Sequence, residues 1–465
     1  MNRSRRSRPT LPKGDRGLLS RGTRAAAVLF ALALTTVVPS HAVAFAPADH
    51  GTASTAAATA DDPSVARLRQ QVRSGSLLDQ HGVHAVCPQC AAQVVTEKKG
   101  SVTPLRSTAP AGYGPADLTK AFGLPARSKS TATIAIIDAG VDPHLASDLA
   151  AYRAAFHLPP CDTASGCLTL KDYTGGEQPA PQKSGAGAAL EEAVALETAL
   201  DMDAASAACP TCHLLEISVP WQDGQDDNDV STGDFAQAVN TAVDMGASAV
   251  SISYGYTADV NNTSGSVLKA FKHRGVAITA ATGDEGFNGG IHQLWPSNLP
   301  SVVAVGGVTL SATEPATAWW SAGSGCETRF AKATGQPASA TAACDGHRAA
   351  ADVSADADPA SGLAVYDTYA PSSGEPNDWT IVGGTSASAP YIAGLYARAG
   401  HLGSVQGPNT LYTAPPSDFT DITSGNNETY HSCGAYPGVS TSLCNAGPGW
   451  DGPTGIGVPH GLGAF

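Results

Sequence analysis

"TIAIID", residues 133–138, holds four apolar residues in a row and ends on a carboxylate. A strand with one wet face alternates polar and apolar residues, whereas an unbroken apolar run suits a strand covered on both faces, as in a parallel sheet. "HLLEISV" (213–219), "ASAVSISY" (247–254), "VAITAATGD" (276–284) and "SVVAVGG" (301–307) have the same character. Between them, "GAALEEAVALETALDMDAASAA", "DFAQAVNTAVDMG" and "SGSVLKAFKHRG" carry apolar residues at helical spacing. The order strand, helix, strand predicts an α/β fold, a parallel sheet flanked by helices in a single large domain. In such folds chemistry gathers where strands end and helices begin.

The 465 residues are 42% hydrophobic, with 50 glycines and 32 prolines that call for many tight turns. Residues 1–44 combine a long basic region, the apolar run from Ala25 to Val38 and small residues at Ala42 and Ala44. That is the pattern of a secretory signal peptide. The run is too short for a bilayer span of about 20 residues, so the mature chain is expected to be secreted and extracellular with no membrane contact. Residues 45–106 are rich in Ala, Ser, Thr and charge, and only "VHAVCPQCAAQVV" looks able to pack. They read as a short pro-segment or N-terminal extension, with the large domain over residues 107–465. A net charge of -14, more negative still without the basic leader, excludes nucleic acid and anionic membrane as partners. Monomer is the default expectation. The ten cysteines fall into neighbouring pairs, which in an exported chain predicts local disulfides. The rival is a zinc site, for which "CPQC" and "CPTC" must converge.

"GGTSASAP", residues 383–390, sets a serine behind two glycines at the start of the helical pattern "SASAPYIAGLYARAG". Glycines permit a sharp turn, and free N–H groups at a helix start stabilise developing negative charge, so Ser386 is a candidate nucleophile. On these residues alone, Thr385 or Ser386 as an ordinary N-cap is an equal alternative. A nucleophilic serine ordinarily takes a histidine as base. No histidine lies between His157 and His213, however, and neither of those two sits at a helix start. "ALETALDMD" stands in that place instead. Glu197 and Asp201 are four apart, so a helix turns both carboxylates the same way. Asp284, in "TAATGDEG", follows an apolar run and a glycine, a common turn position.

Taken in order, "ETALD", "ATGDEG" and "GTSASAP" resemble the sedolisin family, the serine-carboxyl peptidases, over a stretch from "GYGPADLTKAFGLP" to the C-terminus. The resemblance implies a subtilisin-like α/β fold and polypeptide substrates. It also implies Ser386 as nucleophile, Glu197 as general base, Asp201 as its support and Asp284 as donor to the oxyanion. A carboxylate base suits acid, where a histidine would already be protonated, and Asp284 must be neutral to donate. In the family the segments matching "FTDITSGNN" and "AGPGWDGPTGIG" bind one structural calcium. Carried over by position, its ligands are the side chains of Asp421 and Asp451 and the carbonyls of Ile422, Gly447 and Gly449, an oxygen set that suits calcium. The family usually has a long pro-domain, and only about 60 residues stand here between the leader and the resemblance. A secreted endopeptidase is the favoured reading. A tripeptidyl exopeptidase and an inactive peptide-binding relative are the alternatives.

Overall fold

Strands Thr317–Ala318, Val303–Thr309, Ala277–Ala281, Ala247–Ile252, Thr133–Ala139, His213–Val219 and Leu168–Asp172 lie side by side in that order. Val353–Asp356 joins Val303–Thr309 in parallel, and only Thr317–Ala318 runs antiparallel. The computed structural model describes residues 62–87, 89–181, 185–220, 231–257, 265–292, 294–370 and 378–465. The expected leader over residues 1–44 lies outside them. All five apolar runs are strands of this sheet. The reason is visible along Thr133–Ala139: Ile134 and Ile136 enter one core while Ala135 and Ile137 enter the other. Each fully buried isoleucine contributes about 1.5–3 kcal/mol, which neither face forgoes.

One core is roofed by helices Gly185–Ala208 and Thr385–Ala399, the other by Thr232–Asp244 and Gly265–Ala270. The first two helices approach so closely that a Cβ built on Gly394 would stand 2.5 Å from the Cβ of Ala208. Only glycine fits there. Among the described residues no helix is long and apolar enough to cross a membrane.

The extension expected to end at residue 106 packs into the same body from residue 62 onward. Asp62 caps helix Pro63–Ser74 by accepting from the Ser64 N–H at 2.8 Å, and Gly75 closes it in the left-handed region at φ 71°. Val65, Val72 and Leu77 are buried, and Arg73 pairs with Asp117 at 2.7 Å. Strands Gly82–Ala85 and Gln93–Thr96 then form an antiparallel pair that continues through Trp379–Gly383 to Leu363–Tyr366 as a second sheet.

All ten cysteines are paired as spacing predicts: Cys87 with Cys90, Cys161 with Cys167, Cys209 with Cys212, Cys326 with Cys344, Cys433 with Cys444. Both short Cys-x-x-Cys motifs thereby close on themselves, which removes the thiolates the zinc alternative needs. Of the two Asn-x-Thr sequons, Asn261 lies outside the described residues. Asn427 is buried, its amide donating to Ala322 O and Ser324 Oγ.

Candidate active site

Strand Trp379–Gly383 ends in Gly383 and is followed by Gly384, and nothing larger could replace either. A Cβ on Gly383 would lie 2.4 Å from Pro359 N, and Gly384 turns at φ 108°. The turn delivers Ser386 into the first turn of helix Thr385–Ala399, fully buried. Gly384 is the N-cap and no side chain caps the helix, so neither Thr385 nor Ser386 is an ordinary cap. The Ser386 hydroxyl donates to Ser253 O at 3.2 Å. Its backbone N–H, the helix-end donor a growing oxyanion requires, donates to the carbonyl of Ala91 at 2.7 Å.

Glu197 and Asp201 share the inner face of helix Gly185–Ala208, both without exposed surface. Asp138, at the end of Thr133–Ala139, is equally buried and joins them electrostatically. Burial drives Glu197 well above the usual carboxylate range. The Ser386 hydroxyl works against this, and Asp138 and Asp284 add to it. Asp201 rises for the same reason, with Asp138 and Glu197 contributing. Asp138 is pushed up to about 7 by burial, against a lowering contribution from Thr198. Three carboxyls so placed cannot all be charged, so the cluster holds protons together and titrates as a unit. The strand position of Asp138 was legible, but its partnership was not, because only a histidine-type triad would have drawn attention to it.

Asp284 sits after strand Ala277–Ala281. Its Oδ1 accepts from Thr385 N at 2.9 Å and Thr385 Oγ1 at 3.0 Å, and Thr385 Oγ1 accepts in turn from Gly283 N at 2.9 Å. Burial raises Asp284 to about 7, against the two Thr385 bonds. Its Oδ2 is buried and makes no hydrogen bond. A Cβ on Gly384 would meet Ala91 O at 2.3 Å and Asp284 Oδ2 at 2.6 Å, so both oxygens crowd one point beside the serine. A protonated Oδ2 there is a donor aimed where an oxyanion forms.

A cavity of about 960 Å³ adjoins this point, walled by Gly255, Thr282 and Asp284 on one side and by Ala85, Cys90 and Ala91 on the other. The second wall belongs to the N-terminal segment. Ala91 N–H donates to Ser253 O at 3.1 Å, Gly255 N–H donates to Gln89 O at 3.1 Å, and Gln93 pairs with Gly383. Residues 89–93, which bend at Gln89 and Ala91, therefore lie directly against Ser386. No local signal announces that contact, since its partners lie more than 150 residues away in the chain.

The five residues expected to hold calcium are brought together. Asp421 Oδ2 accepts from Gly449 N at 2.9 Å, and Asp451 Oδ2 accepts from Gly447 N at 3.0 Å. Ile422 adjoins Asp421 and is buried. Asp451 is 1% exposed and raised to about 7, mainly by burial, with the Asp421 charge adding. Two mutually repelling carboxylates beside glycine-rich backbone make a donor set that a hard cation would neutralise. The loop is fastened beneath the serine helix. Trp450 Nε1 donates to Ala351 O at 2.9 Å, Ser354 N to Gly457 O at 3.0 Å, and Ser388 Oγ to Asp356 O at 2.9 Å.

A parallel sheet with a serine at a helix start, and carboxylates gathered at the strand ends, defines a subtilisin-like architecture. A profile of the Subtilase family matches residues 129–402, and the chain belongs to that family. It is 31% identical over 389 residues to kumamolisin of Bacillus sp. (strain MN-32), covering 77% of this chain and 64% of that protein. It is 28% identical over 261 residues to sedolisin of Pseudomonas sp. (strain 101), covering 48% and 41%. A solved Pseudomonas sedolisin, a serine-carboxyl proteinase complexed with pseudo-iodotyrostatin, superposes with a TM-score of 0.58 at 24% identity, over 76% of this chain and 96% of that one. Within the subtilases, these likenesses place the chain with the sedolisins. The chain thus spans less than two thirds of the length of either curated relative.

Proposed function

We propose that this chain is a secreted serine-carboxyl peptidase that cleaves polypeptides in acid. The observation that carries the reading is the convergence of the fully buried Glu197 and Ser386 with Asp284, whose Oδ2 is buried and whose carboxyl is held up to about 7. Ser386 attacks the substrate carbonyl, and the carboxylate cluster takes its proton at Glu197, with Asp201 and Asp138 sharing the charge. The Ser386 N–H and the protonated Asp284 receive the oxyanion. Calcium, if bound by Asp421, Asp451 and the carbonyls of Ile422, Gly447 and Gly449, supplies charge neutralisation that fixes the loop under the serine helix.

An endopeptidase is favoured over a tripeptidyl exopeptidase because residues 89–93 cross the serine while the chain continues on both sides, into Gly82–Ala85 and Gln93–Thr96. An exopeptidase would have to stop the chain on the amino side. The retained serine and carboxylates weigh against an inactive relative. The test is cleavage of a denatured protein between about pH 3 and 8, after incubation near pH 4 with calcium, beside Ser386→Ala and Glu197→Gln. Acid-limited cleavage reduced at least about 1,000-fold in both variants is expected. Equal cleavage by Glu197→Gln would remove Glu197 as base.

A further inference from the structure

We infer that Asp142, Asp148 and Asp367 form a calcium site separate from Asp421 and Asp451, and that its ion bolts helix Leu145–Ala155 to the strand pair that leads to Ser386. The inference goes beyond the peptidase reading and does not depend on it. One carboxylate oxygen from each of the three residues lies within 4.8 Å of the other two. They reach this point from separate elements. Asp142 follows strand Thr133–Ala139, Asp148 stands in the first turn of helix Leu145–Ala155, and Asp367 follows strand Leu363–Tyr366. None of them exposes more than 3% of its surface.

On a surface, water and salt would screen such a cluster. Buried, three carboxyls this close either give up charge or gain a counter-ion. Basic side chains do not supply it. Neither Asp142 nor Asp148 is ion-paired to Lys or Arg among the described residues. Arg153, buried on the same helix as Asp148, donates instead to Pro159 O, Ser206 Oγ and Pro210 O. The exposed His144 turns its Nδ1 to Thr368 Oγ1 at 3.0 Å.

Hydrogen bonds orient the carboxyls without using up their oxygens. Asp148 accepts from Thr368 N at 2.7 Å and from Thr368 Oγ1 at 2.9 and 3.0 Å, and Asp367 Oδ1 accepts from Tyr369 N at 2.9 Å. Asp142 Oδ1 accepts from His144 N at 2.8 Å. Bonds of this kind fix ligands around a metal. Asp142 Oδ2 points to the ion itself, because it is buried and makes no hydrogen bond. With Oδ1 taken, Oδ2 is the oxygen left to meet Asp367 and Asp148, whose charges act on this carboxyl. An ion among the three gives it the partner it lacks.

The donor set and its spread suit calcium. Ca–O contacts of about 2.4 Å put oxygens on opposite sides of the ion about 4.8 Å apart, and calcium accepts irregular carboxylate shells completed by water. Magnesium asks for a regular octahedron at about 2.1 Å. The elements joined already meet through Tyr152, Ala364 and Trp379. The ion therefore reinforces an apolar seam, and strand Trp379–Gly383 of that seam runs on toward Ser386.

The experiment uses the full chain with Ser386→Ala, so that proteolysis cannot disturb it, and with Asp451→Asn, which takes away the C-terminal site. Calcium is counted by equilibrium dialysis near pH 6, and Tm is read by scanning calorimetry. One ion per chain is expected in this background, and none once Asp142→Asn or Asp367→Asn is added. With Asp451 intact, either substitution should lower the count by one. Calcium about 100-fold above its Kd should raise Tm by about 3 °C in the background and leave both variants unmoved. Stripped of calcium the order should invert, since Asp142→Asn removes one of three repelling charges and should melt above the background chain. A merely structural aspartate gives no such crossover. Asp367→Asn carries the test if Asp142→Asn fails to fold. Equal counts with and without these substitutions, or no calcium left in the Asp451→Asn background, overturn the site and leave the three carboxyls sharing protons. Because Ser386 is absent throughout, neither result bears on the peptidase reading.

Discussion

Asp284→Asn isolates the proposed oxyanion donor. Asparagine keeps the shape, its carbonyl oxygen can still accept the two Thr385 bonds made by Oδ1, and its amide N–H stands where Oδ2 now lies. The aspartyl group donates only while protonated. With burial raising it to about 7, it is essentially all protonated at about pH 4 and about nine-tenths ionised one pH unit above 7. Activity should therefore fall about fivefold between pH 7 and 8, and about tenfold from pH 4 to 8, through this group alone, since an ionised carboxylate repels the oxyanion it served. In the asparagine variant that alkaline limb should vanish or move upward, while the acid limb, set by the Glu197 cluster, stays in place. The level should drop as well, toward the 100- to 1,000-fold loss, about 2.7–4 kcal/mol, typical of a lost oxyanion donor, though less because an N–H remains. The assay is kcat/KM on a soluble peptide with purified enzyme from about pH 3 to 9. An alkaline limb unmoved in Asp284→Asn would refute the assignment.

Two further outcomes concern stability. Arg348 and Asp352 are both fully buried and joined at 2.7 and 2.6 Å, so Arg348→Met should leave an unpaired buried carboxylate and cost about 3–5 kcal/mol. A Tm loss of about 5 °C in scanning calorimetry is expected, and an unchanged Tm would show the carboxylate satisfied by Ala304 N and Tyr412 alone. Calcium removal by a chelator near pH 6 should lower Tm by the equivalent of about 2.7 kcal/mol if the ion is about 100-fold above its Kd. The contribution of the C-terminal site should be absent in Asp451→Asn, and no shift in the parent would dismiss the ion.

The sheet was legible because strands buried on both faces leave unbroken apolar runs, and Glu197 with Asp201 because helix geometry makes a four-residue spacing meaningful. The short strands Leu168–Asp172 and Val353–Asp356 were not, since each is only four or five residues long and mixes polar with apolar side chains. Least legible was Gln93–Thr96. Its tertiary partner is Trp379–Gly383, and a four-residue strand carries too little pattern to name a mate so far along the chain. The cysteine pairs were readable for the opposite reason, each joining near neighbours in sequence, 3 to 18 residues apart.

The contact of Gly394 with Ala208 has a mechanical meaning for the site. Ser386 lies eight residues before Gly394, about 12 Å along the same helix, and Glu197 lies eleven residues before Ala208, about 16 Å along the other. The proposed nucleophile and base thus ride on two rods that touch at a distant fulcrum. A methyl group inserted there would pry the rods apart by a fraction of an ångström at the pivot and skew their far ends. The reach of the proton from Ser386 to Glu197 would change without any group near it being altered.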